Sequence, residues 1–196
     1  MPASRIFMLP WVYELRRKAI HLMVLIFPVA YHLGLSRELL TSILTALLVG
    51  VLCVELLRID FRIKVPLLPL FRRREKGLSG ATFMLVGMIL ALSAFPRGIA
   101  VAVMSMTILG DAASALIGKS IGKHAVWGPR NLEGIAAEFI INSVVGILVF
   151  TKYDLFWPIA LVGALVATVT ETVSYQVDDN LIVPLFSGIA MKIFIP

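Results

Sequence analysis

Seven apolar runs, near residues 19–35, 39–57, 78–95, 98–117, 134–150, 157–174 and 181–195, divide this chain, and its charged side chains fall almost entirely in the breaks between them. Runs of roughly 17–25 apolar residues are what a helix needs to cross a hydrocarbon core, where the backbone must satisfy its own polar groups because no water is at hand. Composition agrees: 59% of the residues are hydrophobic and 15% charged, against about half and about a quarter in soluble domains. That balance argues against a soluble fold. With no internal repeat and no low-complexity linker, the expectation is a single all-α domain over residues 1–196, a polytopic integral membrane bundle of seven helices.

The cations orient this bundle. Threaded with the N-terminus inside, fourteen of the eighteen Lys and Arg residues lie on the inner side, and four, Arg37, Arg97, Lys152 and Lys192, on the outer. Lys and Arg of short loops are retained on the cytoplasmic side, so the N-terminus is expected in the cytoplasm. Removing any one run reverses everything downstream and spoils the bias. The net charge of +6 follows from the same retention and from attraction to anionic headgroups, so no nucleic-acid partner is needed to explain it. Residues 1–18 lack a short apolar region followed by a small-residue cleavage site, so the first helix is expected to stay in the mature chain. Cys53 is the lone cysteine and no Cys or His spacing suits zinc, which argues against redox and structural-metal roles.

Five polar clusters fall on the inner side. In the first, Glu14, Arg17, Lys18 and His21 share one helical stripe ahead of the first run, able to meet either headgroups or a phosphate. The second ends the basic loop as Glu75-Lys76-Gly77-Leu78-Ser79-Gly80-Ala81-Thr82, where cations and small residues open a helix whose N–H groups suit a phosphate. The third, from Gly110-Asp111 to Gly118-Lys119-Ser120-Ile121-Gly122-Lys123, resembles a phosphate-binding loop but has Ala113 where that motif needs glycine, and no strand precedes it. Gly118 and Gly122 equally suit close helix packing. Asp111 is different, because a carboxylate within a span costs a few kcal/mol and marks a functional position by default.

The fourth cluster, Arg130-Asn131-Leu132-Glu133-Gly134, opens the fifth run with Glu138 one turn in, and Glu133 there also suits a helix N-terminus. The fifth runs from Glu171 to Asp178-Asp179-Asn180 and offers hard oxygens suited to Mg²⁺, which takes one or two carboxylates beside substrate phosphates. A solvated acidic turn is the plainer alternative. Carboxylates for a divalent ion, and cations and glycines for phosphates, all on one face of a membrane scaffold, describe an enzyme joining a water-soluble nucleotide to a lipid.

Glu-Leu-Arg-Arg-Lys-Ala-Ile-His at 14–21, Lys-Gly-Leu-Ser-Gly-Ala-Thr at 76–82, Gly-Asp-Ala-Ala-Ser-Ala-Leu-Ile-Gly at 110–118 and Asp-Asp-Asn-Leu-Ile-Val-Pro at 178–184 together resemble the dolichol kinase, phytol kinase and CTP-dependent diacylglycerol kinase group. The resemblance spans nearly the whole chain and implies phosphoryl transfer from CTP to a lipid alcohol, with the third motif near the nucleotide. Where that family often has Lys-Ser or Lys-Thr before Glu-Gly, this chain has Arg130-Asn131 before Leu132-Glu133-Gly134, which keeps the cation and loses the hydroxyl.

The expected site is therefore cytoplasmic, with Asp111, Asp178 and Asp179 holding Mg²⁺ and positioning the hydroxyl. Around the nucleotide it sets Lys76, Gly110, Gly118, Lys119, Gly122, Lys123, Arg130, Glu133 and Asn180, with Arg17, Lys18, His21 and Glu171 as secondary candidates. CTP, a lipid alcohol and membrane lipids are the expected partners. Two alternatives remain beside this reading. A phosphatidate cytidylyltransferase also uses CTP at a membrane, but its late Lys, Asp, His-Gly-Gly and Asp-Arg signature is absent. An anion transporter also uses basic residues and intramembrane acids, but would commonly carry repeated halves.

Overall fold

The computed structural model describes residues 18–59, 77–128, 130–174 and 177–195. Helical residues 18–23 lead through a turn at 24–25 into α1 (Ile26–His32), followed by α2 (Arg37–Ile59), α3 (Gly80–Ala94) and α4 (Arg97–Ile121). A short hairpin of β1 (Ala125–Trp127) and β2 (Arg130–Asn131) then precedes α5 (Leu132–Lys152), α6 (Pro158–Val173) and α7 (Asp179–Ile193). The seven expected runs thus reappear as helices, with bounds set by local chemistry. Pro96 is the N-cap of α4 and Pro158 opens α6, positions where the missing N–H costs nothing.

One feature departs from the sequence reading. The fold is not purely helical, because β1 and β2 pair antiparallel, with Ala125 opposite Asn131 and Trp127 opposite Arg130, around Gly128 at φ 54°. That left-handed turn conformation favours glycine. Three segments, Arg37–Leu57, Arg97–Ile121 and Leu132–Lys152, are long and apolar enough to cross a membrane. The other helices have 7 to 16 residues, short of the roughly 20 a perpendicular crossing takes.

α4 is the central helix, with 72% of its membrane-length window buried against 17% for α2 and 28% for α5. Small and polar residues face inward. The buried positions of α5 are Gly134, Glu138, Asn142, Gly146 and Phe150, every fourth residue, and those of α6 include Ala160, Gly163, Ala164 and Ala167. Such residues let helix backbones approach closely. Large apolar side chains face outward, among them Met23, Leu33, Leu148 and Ile193. One close approach has a specific cause: Pro184 lacks the N–H that would bond the carbonyl of Asn180, and Gly87 of α3 comes so near that oxygen that a Cβ would lie 2.4 Å from it.

Successive helices run antiparallel, so the polar residues collect at two ends. At one end Tyr31, Arg37, Phe95 and Arg97 meet: Arg37 donates to the Phe95 carbonyl (2.9 Å), Arg97 to that of Leu35 (3.2 Å), and the Arg97 guanidinium lies 4.6 Å from the Tyr31 ring centroid. At the other end lies the charged cluster described next.

Candidate functional site

Asp111, in the second half of α4, is met by the stretch that precedes α1. The Lys18 ammonium contacts its carboxylate and lies 3.4 Å from its main-chain oxygen, and His21 Nε2 lies 3.3 Å from the same carboxylate. Lys18 and His21 are three apart and so share a helix face. Lys18 is only 6% exposed. The costs of burying the lysine and the aspartate are thus offset together.

Arg130 is the hub. The β1–β2 pairing and the helix cap that follows hold its backbone: Asn131 Oδ1 accepts from Gly134 N (2.9 Å), while Asn131 Nδ2 donates to the Gly118 carbonyl (2.9 Å), tying the hairpin to α4. The guanidinium then reaches three helices. Nη1 donates to Glu171 Oε1 of α6 (2.5 Å) and Ser114 Oγ of α4 (3.4 Å), and Nη2 to Asp179 Oδ2 of α7 (3.2 Å). Burial disfavours the Arg130 charge, but Glu171 and then Asp179 outweigh it and raise its pKa further. Asp179 moves the other way in stability terms. Burial, then Asp111 and Asp178, lift its carboxyl above the ordinary aspartate value, with Arg130 and Lys18 opposing. The pair is lopsided because Arg130 has several acids and Asp179 shares its cations with other carboxylates.

Glu138 of α5 completes the cluster. It is 1% exposed, its carboxyl lies against that of Glu171, near enough for the two to share a hydrogen bond when one is protonated, and Arg130 and Asp111 act on it as well. Four carboxylates, Asp111, Glu138, Glu171 and Asp179, therefore surround two permanent cations, Lys18 and Arg130.

The sequence-predicted residues divide accordingly. Asp111, Asp179, Arg130, Lys18, His21 and Glu171 come together. Asp178 serves as N-cap of α7, its Oδ1 accepting from Asn180 N (3.1 Å) and Asn180 Nδ2 (2.8 Å), so Asp178 and Asn180 largely answer each other. Among the described residues no three His, Cys, Asp or Glu side chains are grouped to hold a metal ion, and Asp111, Asp178 and Asp179 are not so grouped. Glu133 is engaged by His124, whose Nδ1 lies 2.7 Å from its Oε1. Gly110, Gly118 and Gly122 sit against α5 or its cap, where a Cβ would come within 2.4 Å of Asn142, 3.0 Å of Asn131 and 2.3 Å of Asn131 respectively. Helix packing is the physical reason for those glycines. Lys119 and Lys123 are exposed, and at about 1.5 Å per residue Lys119 lies roughly 12 Å along α4 from Asp111. Arg17 and Lys76 lie outside the described residues.

The opening of α3 has an acceptor from within the protein. The run before Thr82 suggested a phosphate at the helix N-terminus, but Glu55 of α2, fully buried, accepts from Ser79 N (2.9 Å) and puts a protein carboxylate there. Sequence reading missed Glu55 altogether and gave Ser114, inside the third motif, and Glu138 no role of their own. For Glu138 a signal existed: Gly134, Glu138, Asn142 and Gly146 form an every-fourth stripe of small and polar residues on an otherwise apolar helix.

The chain is 27% identical over 195 residues to the uncharacterized protein RP860 of Rickettsia prowazekii (strain Madrid E), a likeness covering 93% of this chain and 95% of that protein. No family model matches the chain, and no solved structure matches it.

Proposed function

We propose that the chain is a multi-pass membrane enzyme that transfers the γ-phosphate of CTP to the hydroxyl of a lipid alcohol, an isoprenoid alcohol such as a polyprenol first and diacylglycerol second. The observation that carries this reading is the cluster of Asp111, Arg130, Glu171 and Asp179, drawn from four separate segments to one end of an apolar bundle. In this reading all seven helices span the bilayer, the shorter ones where it thins or protein lines it, and the N-terminus and the cluster face the cytoplasm.

Phosphoryl transfer proceeds through a loose transition state, so positioning and charge neutralisation do most of the work. The lipid oxygen bonds to the γ-phosphorus, the bond to the β-phosphate oxygen breaks, CDP leaves and the hydroxyl proton is released to water. Arg130 and Lys18 would neutralise the transferred group, with Lys119 and Lys123 reaching the outer triphosphate. Asp111 and Asp179 would orient the hydroxyl. Their hard oxygens also fit Mg²⁺ in the mode that combines one or two carboxylates with substrate phosphates, and Mg²⁺ so held would neutralise the phosphate charge.

Purified protein incubated with Mg²⁺, a panel of lipid alcohols and either γ-labelled or α-labelled CTP tests this. Label from the γ-position in an extractable lipid monophosphate is expected, and none from the α-position. Lipid carrying α-label, or absolute need for an already phosphorylated lipid, supports a cytidylyltransferase instead.

A further inference from the structure

Glu138 of α5 and Glu171 of α6 bring their carboxyls into hydrogen-bond contact at 1% and 2% exposure. Two ionised carboxylates are acceptors only and repel, so a facing pair shut away from water holds one proton. No neighbouring donor takes its place. Among the described residues, the Arg130 N–H groups go to Glu171, Ser114 and Asp179, and the Lys18 ammonium goes to Asp111. The Asn142 amide, one turn below Glu138, gives its NH2 to Thr168 and turns Oδ1 to Gly110 of α4. The contact between the two acids therefore needs a carboxyl O–H.

The cations decide which residue carries it. Glu171 Oε1 accepts from Arg130 Nη1 at 2.5 Å, a charge-assisted bond that requires the ionised form of Glu171. Glu138 makes no ion pair among the described residues. Arg130 acts on it only at longer range, and the carboxylates of Glu171 and Asp111 face it with like charge. The other charged groups of the cluster are engaged elsewhere, Lys18 and His21 beside Asp111, and Asp179 on Arg130 Nη2. We infer that Glu138 is a positioning residue held as a neutral carboxylic acid, donating a hydrogen bond to Glu171 and so fixing the Glu171 carboxylate against Arg130. The assignment concerns the protein without substrate and stands apart from the kinase reading.

The two isosteric amides test it, by thermal unfolding of the full-length detergent-solubilised protein at pH 7 without nucleotide or lipid substrate. Glutamine at 138 is neutral and still donates to Glu171, so Glu138→Gln should lower the midpoint by no more than about 2 °C. Glu171→Gln removes the charge that answers Arg130 and should lower it by at least about 6 °C. The reverse order or equal costs overturn the assignment, and so does a Glu138→Gln protein that fails to fold. Infrared spectra give a second reading that a merely structural role would not move. Wild type at pH 7 should show the carbonyl band of a neutral carboxylic acid, shifted in D2O, which Glu138→Gln lacks and Asp179→Asn keeps. A wild type without that band overturns the assignment even where a variant is lost, as does a band that survives in Glu138→Gln unchanged. CTP turnover does not enter, so loss of the kinase reading leaves both measurements intact.

Discussion

The two ends of the bundle use the same residue types for different purposes. Where Arg37, Arg97 and Lys192 sit, each cation donates to a main-chain carbonyl, of Phe95, Leu35 and Ala94 respectively. Ala94 is the last residue of α3 and Phe95 its C-cap, so Lys192 and Arg37 satisfy the unpaired carbonyls and the negative dipole end that terminate a helix. At the opposite end, Lys18 and Arg130 are answered by side chains, and the acids outnumber them. Main-chain partners are fixed by the fold and leave nothing over. Side-chain partners can be exchanged for a ligand.

The largest effect should come from neutralising an acid at the crowded end. Asp111→Asn is expected to lower γ-phosphate transfer at least about 1000-fold, or about 4 kcal/mol, with folded protein retained because Lys18 keeps the Asp111 carbonyl and His21 stays beside it. Asp154→Asn is the matched control: Asp154 lies beyond α5 at the other end, with φ 53°, a conformation asparagine tolerates. Equal turnover in both variants erases the functional difference between the ends.

Next in size is Arg130→Gln, measured by thermal unfolding. Removing one partner of a buried pair costs about 3–5 kcal/mol, or about 10 °C in a chain of this length, since Glu171 is 2% exposed and would lose its counter-charge. Arg130→Lys should recover only part, because one ammonium cannot fork to Glu171 and Asp179. A cost under about 1 kcal/mol would show that the hub does not hold α4, α6 and α7 together.

Arg97→Met sharpens the contrast from the other side. It removes one hydrogen bond to Leu35 and the contact with the Tyr31 ring, for about 1–2 kcal/mol of stability, and should leave transfer within about twofold of wild type at a permissive temperature. Transfer lost in proportion to Asp111→Asn would mean the two ends are not separable.

The smallest effect is a matter of sign. Because the folded-state pKa of Asp179 is raised, its contribution to stability is present below the ordinary aspartate value and lost as pH rises through the raised one. Asp179→Asn cannot ionise, so its midpoint relative to wild type should improve between pH 4 and pH 7, by about 2 °C at most given solvent screening. A relative midpoint that falls with pH would instead make Arg130–Asp179 a net stabilising pair.

The positions of the helices were written locally. Runs at 78–95 and 157–174 became Gly80–Ala94 and Pro158–Val173, because apolar length and the placing of Pro and Gly act through the nearest few residues. The separation of ends was legible too, since Arg37, Arg97 and Lys192 were set apart from the remaining cations by alternation alone. What sequence could not decide was which face each helix turns inward. Apart from the small and polar stripe of α5, these helices are apolar nearly all round and no polar stripe fixes their rotation about the axis, so the pairing of Lys18 with Asp111 across 93 positions, or of Arg130 with Glu171 and Asp179 across 41 and 49, has no local signature. The same holds for the assignment of Gly118 and Gly122 to packing and of Glu55 to the start of α3. Length and charge bias along the chain determined the helices and their ends; helix rotation and side-chain fit, set by close packing in three dimensions, decided which charges meet.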